Sequence, residues 1–432
     1  MVAAVEAELI AEFQNELAVI KGRVSRLESR TNALEATQFS TTTKLHGKAF
    51  YTLGSVSYGG NTIQPNGQQA SLPQALSFNY DVRLTLDTSF SGKDLLRTRL
   101  RAANYASTAF FGDGPTGLTS LDFSFQSPAA GDVAGIERLF YKAPFGDKFT
   151  GILGARIKQE DLLAFEPSAY PAGVLDLFTY NGAPGAYSHI RGAGAGLWWK
   201  DKGWSISANY IAKNGDKGNP GAASSNGGGV IANASSISTS TLQLGYQHKN
   251  WGAAIAYGYN SANAGYYNTG IATNKALEIN PQNSLGGGST NSFSIGGYWE
   301  PLESGWAPAI SVGYGYNFNS YNGQLAGLST RTQSWSVAFN WDNVIQKGNQ
   351  AGFAIGQAPF YTGGNAAAQA RWGRPNDSNW VSELWYSFKV SDHITVTPAV
   401  FYIGNTSFAN GSQGTGNVFN ALGGIIITKF VF

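Results

Sequence analysis

Two hydrophobic rhythms divide this chain. Before residue 39, Ile10, Phe13, Leu17, Ile20, Val24, Leu27, Thr31 and Leu34 recur at alternating steps of three and four. That spacing keeps one stripe on a helix and makes an uninterrupted a/d heptad seam. It predicts a coiled-coil helix over residues 1–38, with a single amphipathic helix packed on a domain as the plainer alternative. From residue 44 onward the period falls to two. Stretches such as 75–90, 94–105, 205–213, 241–249, 292–299, 309–318, 334–341, 383–389 and 395–402 alternate apolar with polar or small residues. Strands that present one face to each of two solvents read this way.

The connections alternate as well. Short ones at 91–94, 145–148, 200–203, 249–250, 301–306, 342–349 and 390–393 are interleaved with long Gly/Asn/Ser-rich ones. The long ones cover 59–74, 106–132, 157–185, 214–236, 261–289, 319–330, 359–378 and 404–418. Fifteen connections imply sixteen strands, with eighteen the nearest rival count. The segment 121–126 could pass for one more strand, but an odd number would leave the chain ends on opposite sides, so it is assigned to the loop. Short turns on one side and larger loops on the other are the habit of a membrane barrel. The last segment, Leu422 to Phe432, sets Leu422, Gly424, Ile426, Thr428, Phe430 and Phe432 on one face, with Lys429 among smaller groups on the other. A barrel gains from such an ending because its last strand must pair with its first. The expected architecture is all-β: a 16-stranded antiparallel transmembrane β-barrel over 39–432, preceded by the helical stalk of 1–38.

Composition agrees with that reading. Charged residues make up only 13% of the chain, about half the usual share for a soluble protein. Yet mean hydropathy is slightly polar, and no run approaches the roughly 18 apolar residues of a membrane helix. Half-apolar strands explain both. Trp198, Trp199, Trp204, Trp251, Trp299, Trp306 and Trp341 lie within a few residues of the short turns, as an aromatic girdle at the periplasmic headgroups would. The absence of cysteine suits an envelope compartment. A net charge of +2 gives no reason to expect nucleic acid.

Candidate chemistry is electrostatic, not catalytic. His46, His189, His248 and His393 are scattered without metal-ligand spacing, and no Ser/His/Asp set presents itself. The glycines of Gly192-Ala-Gly-Ala-Gly196 fall in a strand and cradle no phosphate. No enzyme activity, cofactor or metal is therefore expected. By contrast, Arg97, Arg99 and Arg101 share one strand face opposite Leu96, Thr98, Leu100 and Ala102. A lipid-facing arginine costs about 2–4 kcal/mol at the bilayer midplane, so these three are expected to line the lumen. Arg83, Arg138, Lys142 and Arg156 extend the basic wall by the same logic. The following loop, 157–185, carries Glu160, Asp161, Glu166 and Asp176 against the single Lys158, together with seven large apolar residues. A loop at once acidic and apolar is expected to fold inward, face the basic wall and narrow the pore. The alternative is an outside loop packed on a neighbouring subunit.

The heptad helix, the run Phe39-Ser-Thr-Thr-Thr-Lys-Leu-His-Gly-Lys48, and the motifs Leu95-Leu-Arg-Thr-Arg-Leu-Arg101, Ile136-Glu-Arg-Leu-Phe-Tyr-Lys142 and Gly146-Asp-Lys148 together resemble the cyanobacterial outer-membrane porins of the OprB-like family. That family is described as carbohydrate-selective or iron-uptake. The resemblance covers essentially the whole chain. It implies passive diffusion of ions and small hydrophilic solutes, a homotrimer in outer-membrane lipid and a periplasmic N-terminal helix. It also implies peptidoglycan contact only through an upstream S-layer-homology domain that this sequence lacks. Carbohydrate selectivity and a purely structural tether between membrane and wall are the alternatives. A siderophore transporter of about 22 strands would need a longer chain.

Overall fold

The computed structural model describes residues 42–432 apart from 63–69, 127–131, 172, 221–226, 232–234, 262–287, 304, 373–378 and 408–417, together with Phe13, Ile20, Lys21, Arg23 and Val24. Those five are helical and exposed, and the rest of the expected heptad stalk lies outside the described residues.

Among the described residues sixteen antiparallel strands close into one barrel. They are β1 (Thr43–Gly60), β2 (Ser77–Thr88), β3 (Leu95–Ala103), β4 (Gly135–Phe145), β5 (Phe149–Lys158), β6 (Arg191–Asp201), β7 (Trp204–Ala212) and β8 (Ser238–Gln247). The second half comprises β9 (Trp251–Asn260), β10 (Gly288–Trp299), β11 (Ala309–Tyr321), β12 (Ser329–Asp342), β13 (Gln350–Gly364), β14 (Trp380–Lys389), β15 (Ile394–Ser407) and β16 (Val418–Val431). A short helix, α1 (Ala366–Trp372), follows β13. Every strand pairs with its sequence neighbours, and β16 returns to β1 with Lys48 opposite Val431 and Gly60 opposite Phe419. Closure leaves no unpaired edge, which is the condition for placing strands in hydrocarbon. The expected sixteen strands are present. Residues 121–126 do lie in a loop, touching other segments through the isolated bridges Leu121 to Leu175 and Asn104 to Gln126.

Alternation gives each strand its two faces. In β9, Trp251, Ala253, Ile255, Tyr257 and Tyr259 point outward while Gly252, Ala254, Ala256, Gly258 and Asn260 point in. Leu153, Ile295, Leu384 and Leu422 are among many large apolar side chains more than half exposed on the outside. So much apolar surface is compatible with lipid and not with water.

The inward residues of β9 are small for a reason. The loop after β5 lies against them, and a Cβ on Gly258 would stand 2.9 Å from the Ala186 backbone. On β11 a Cβ on Gly313 would come within 1.9 Å of the Asn181 carbonyl oxygen. Both glycines let the loop backbone touch the wall.

The barrel interior is filled from two sides. The loop after β3 turns inward, so that Phe110, Leu118, Leu121 and Phe123 pack with Val174, Leu175 and Phe178 of the loop after β5. The same cluster takes in Val56, Phe401, Ile403, Ile425 and Ile427 from the inner faces of β1, β15 and β16. This revises the reading of the closing strand. Its outward face carries Leu422, Gly424 and Ile426 as expected, but its inner face is not merely small. Ile425 and Ile427 are apolar because an apolar loop, not water, covers them.

Candidate functional site

The first four strands build a charged wall. On β2 the inward residues are Asp81, Arg83, Thr85 and Asp87, and their register sets Arg83 opposite Arg101, Thr85 opposite Arg99 and Asp87 opposite Arg97. The three guanidiniums of β3 reach oxygens across the ladder on β2, while Arg83 turns to Asp81 on its own strand. Arg97 binds Asp87 in a two-pronged pair at 2.7 and 2.8 Å, and Arg99 donates to Thr85 Oγ1 at 3.0 Å. Arg83 reaches Asp81 at 2.9 Å, and Arg101 donates to the same carboxylate through Nε at 3.0 Å.

A register shift opposite Arg99 and Leu100 makes a bulge in β4. It lets the consecutive residues Glu137 and Arg138 both face inward, which a regular strand forbids. Glu137, almost fully buried, becomes a hub: Arg138 lies 2.5 Å away, Arg99 and Arg101 3.4 Å and Arg191 3.5 Å. Phe125 from the loop after β3 lies under Arg101 and Arg191, with ring centroids 4.4 and 5.5 Å from the guanidinium carbons.

Opposite this wall stands the loop 159–190, whose ends are joined where Lys158 pairs with Arg191 across β5 and β6. It crosses the lumen and is held at successive points. The Ala164 N–H donates to Ser207 Oγ at 2.8 Å, and the Ala169 and Tyr170 N–H groups donate to Ser311 Oγ at 2.9 and 3.1 Å. Ser334 Oγ donates to the Gly182 carbonyl at 2.8 Å. Glu383 on β14 receives the Leu175 N–H at 2.6 Å, the Val174 N–H at 3.3 Å and the Tyr170 hydroxyl at 2.8 Å. These anchors belong to β7, β11, β12 and β14, so the loop spans from one side of the barrel to the other.

Between loop and wall lies a cavity of about 310 Å³, bordered by Arg83, Arg99, Arg101 and Arg138 on one side and by Glu160, Glu166 and His189 on the other. Arg138 bridges the two, reaching Asp161 at 2.5 Å and Glu160 at 3.1 Å. Lys158 reaches Glu160 at 2.5 Å. Against the cost of burial, Lys158 foremost holds the Glu160 carboxyl well below the usual carboxylate range. Glu166 is wetted by the lumen yet walled in by protein, and this desolvation with the neighbouring Glu160 pushes its carboxyl up to about 7. Burial, then the nearby Lys158, lowers His189 to about 3, so its imidazole is neutral.

Not every residue singled out from the sequence joins this site. Arg97 belongs to the wall but does not border the cavity. Lys142 lies over the Trp198 ring at 6.0 Å, away from the wall cluster. Arg156 makes no ion pair among the described residues, and its Nε is buried without a hydrogen bond. Asp176 turns back into its own loop, accepting from the Tyr180 hydroxyl at 3.0 Å, and burial with Asp122 nearby pushes its carboxyl up to about 7.

Other members escaped the sequence reading. Asp81 and Asp87 share the strand face of Arg83 and follow from the same alternation. Glu137 was hidden by the bulge. Arg191 and His189 become neighbours of the wall only once the loop has folded.

Comparison with known proteins places this geometry. An uncharacterised protein of Synechocystis sp. is 28% identical over 98% of this chain and 75% of its own length. One from Nostoc sp. is likewise 28% identical, over 98% of this chain and 71% of its own. Among solved structures, OprB of Pseudomonas putida at high pH superposes with a TM-score of 0.54 at 11% identity, covering 94% of this chain and 96% of that one. The anion-selective porin of Comamonas acidovorans gives 0.52 at 11% identity, over 90% and 99% of the two chains. These likenesses show the porin fold. Residues 3–421 match the family described as carbohydrate-selective porin, OprB family. A closed barrel with a lipid face, relatives along nearly its whole length and this family match converge: the chain is an outer-membrane porin and belongs to the OprB family of carbohydrate-selective porins.

Proposed function

We propose that the chain passes small hydrophilic solutes, sugars and ions alike, by passive diffusion through an eyelet formed where the loop 159–190 faces the arginine wall. One observation carries this reading: charges of opposite sign are interleaved, not segregated. Six basic groups border the cavity, and six carboxylates border it or pair with those that do. Such a surface is dense in donors and acceptors yet has little net charge. It suits hydroxyl groups, which donate and accept at once.

Phe178 and Tyr170 border the cavity and supply aromatic edges next to its hydrogen-bonding groups, while Phe125 packs behind Arg101 and Arg191. That arrangement, together with the family description, favours sugars over a strongly ion-selective channel. The charge of the barrel segment, 25 basic against 21 acidic residues, agrees with weak ion preference.

Liposome swelling with a graded series of sugars, alongside reversal potentials in a salt gradient, tests this. Entry of monosaccharides with a reversal potential near zero is expected. Steep ion selectivity without sugar entry would refute the sugar reading, and absence of any solute entry would favour a structural tether. The same reading puts the short turns and their tryptophans at the periplasmic face, the N-terminal helix below them and three copies in the assembly. The family resemblance supports these placements.

A further inference from the structure

We propose that Glu160, Glu166 and His189 bind a divalent transition cation in the wall of this cavity. One ligand atom from each lies within 4.8 Å of the others. Their spacing in the sequence hides this, because His189 reaches the two glutamates only when the loop closes on itself. Gln159 does the closing. It accepts the His189 N–H at 3.1 Å and donates to the Ala186 carbonyl at 2.9 Å.

A second observation concerns the histidine itself. The His189 side chain is 6% exposed, borders the cavity, and its Nδ1 is buried without a hydrogen bond. Its Nε2 stands 3.8 Å from Glu160 Oε2, too far for a hydrogen bond. Buried imidazoles ordinarily find partners for their nitrogens, so a ring with none is unexplained by the protein alone. Tyr180 stacks on it at 4.3 Å between centroids and fixes its plane. The backbone at His189 is left-handed, with φ of 51°, a region that histidine enters more readily than most side chains. The surroundings thus hold the ring in place, leave its Nδ1 without a protein partner and set its Nε2 facing Glu160.

One imidazole nitrogen and two carboxylate oxygens suit borderline Zn²⁺ best; Mn²⁺, though harder, accepts such a mixed set more readily than Ca²⁺ or Mg²⁺, which prefer oxygen alone. Metal–ligand bonds of about 2 Å require small side-chain movements to draw the three together, with cavity water completing the shell. Lys158 and Arg138 already hold Glu160, at 2.5 and 3.1 Å, and Arg191 borders the same cavity. An entering cation displaces the Lys158 ammonium from Glu160. That competition makes the site weak, which suits a place of transit.

Isothermal titration of the folded, detergent-solubilised protein with Zn²⁺ is expected to give one site per chain. Affinity should fall on the order of tenfold in Glu166→Gln and in His189→Asn, the latter chosen because Asn tolerates a left-handed backbone. It should rise in Lys158→Gln. Mn²⁺ bound to the unaltered chain should show electron spin-echo modulation from an imidazole ¹⁴N, a readout that does not depend on variants folding. No Zn²⁺ binding, binding indifferent to Glu166 and His189, or Mn²⁺ without nitrogen coupling would each overturn the proposal.

Only a block of solute flux by bound Zn²⁺ rests on the eyelet proposed above, and site and eyelet can fail separately. Zn²⁺ binding that leaves solute flux unchanged would retain the site and count against the eyelet. Normal flux with no binding would do the reverse.

Discussion

Glu137 holds more of the wall together than any arginine does, because four guanidiniums share it within 3.5 Å. Removing one partner from a buried ionic cluster generally costs about 3–5 kcal/mol, since the opposing charge stays behind without compensation. Glu137→Gln keeps the shape and one acceptor oxygen but leaves the wall one negative charge short. A unit charge about 8 Å from a permeating ion is worth roughly 0.5 kcal/mol even in water, or about a twofold change in relative permeability. The expected outcome is a reversal potential shifted towards anions, with Arg99→Gln shifting it the other way; equal values in both variants would remove the wall from the permeation path. The arginines of β3 were legible because lipid excludes them, and Asp81 and Asp87 follow from the same alternation on β2. Glu137 was not, because a bulge breaks the period that any strand reading assumes.

At the scale of the element, the loop 159–190 is shaped by what the barrel offers it. Its apolar residues meet a second inward loop, and its backbone meets glycines and serines on the wall. The inward fold was legible from acidic and apolar residues sharing one segment, which water alone would not favour. The anchors were not legible, because Ser207, Ser311 and Glu383 are far away in sequence and look like ordinary lumen residues. Glu383 is the strongest of them: three donors converge on one carboxylate that is 1% exposed. In Glu383→Gln the amide turns an N–H₂ towards at least one of those donors. A buried hydrogen bond is worth about 0.5–1.5 kcal/mol net, and the loop loses part of the sum of three. Single-channel recordings should show added gating noise, together with a lower temperature for heat modification on gels. Quiet current at unchanged thermal stability would mean that the loop is held elsewhere.

For the whole molecule, strand count and closure could be read from turn lengths because each turn has to return the chain through the same thickness of lipid. What fills the barrel could not be read that way. The hint lay in β16, where Ile425, Ile426 and Ile427 are consecutive, so one face must be apolar without touching lipid. The loop after β3 supplies the cover. Phe110 and Phe123, 1% and 4% exposed, pack in the cluster that includes the inner residues of β1, β15 and β16, and Phe123 also stacks on Phe50 at 5.0 Å. The lumen is thus divided: one side is packed like a protein core, and the charged cavity lies beside the other inward loop. Truncating a buried Phe costs about 3–5 kcal/mol, part of it from the void left behind. Phe123 borders a second cavity of about 370 Å³, so water can enter the void left there and the cost falls towards the lower figure. The double variant Phe110→Ala, Phe123→Ala should therefore remain folded, lose some thermal stability and conduct more current with less discrimination between sugars by size. If conductance and size cut-off stay unchanged while stability falls, the packed side is sealed from the path, and the eyelet alone sets what passes.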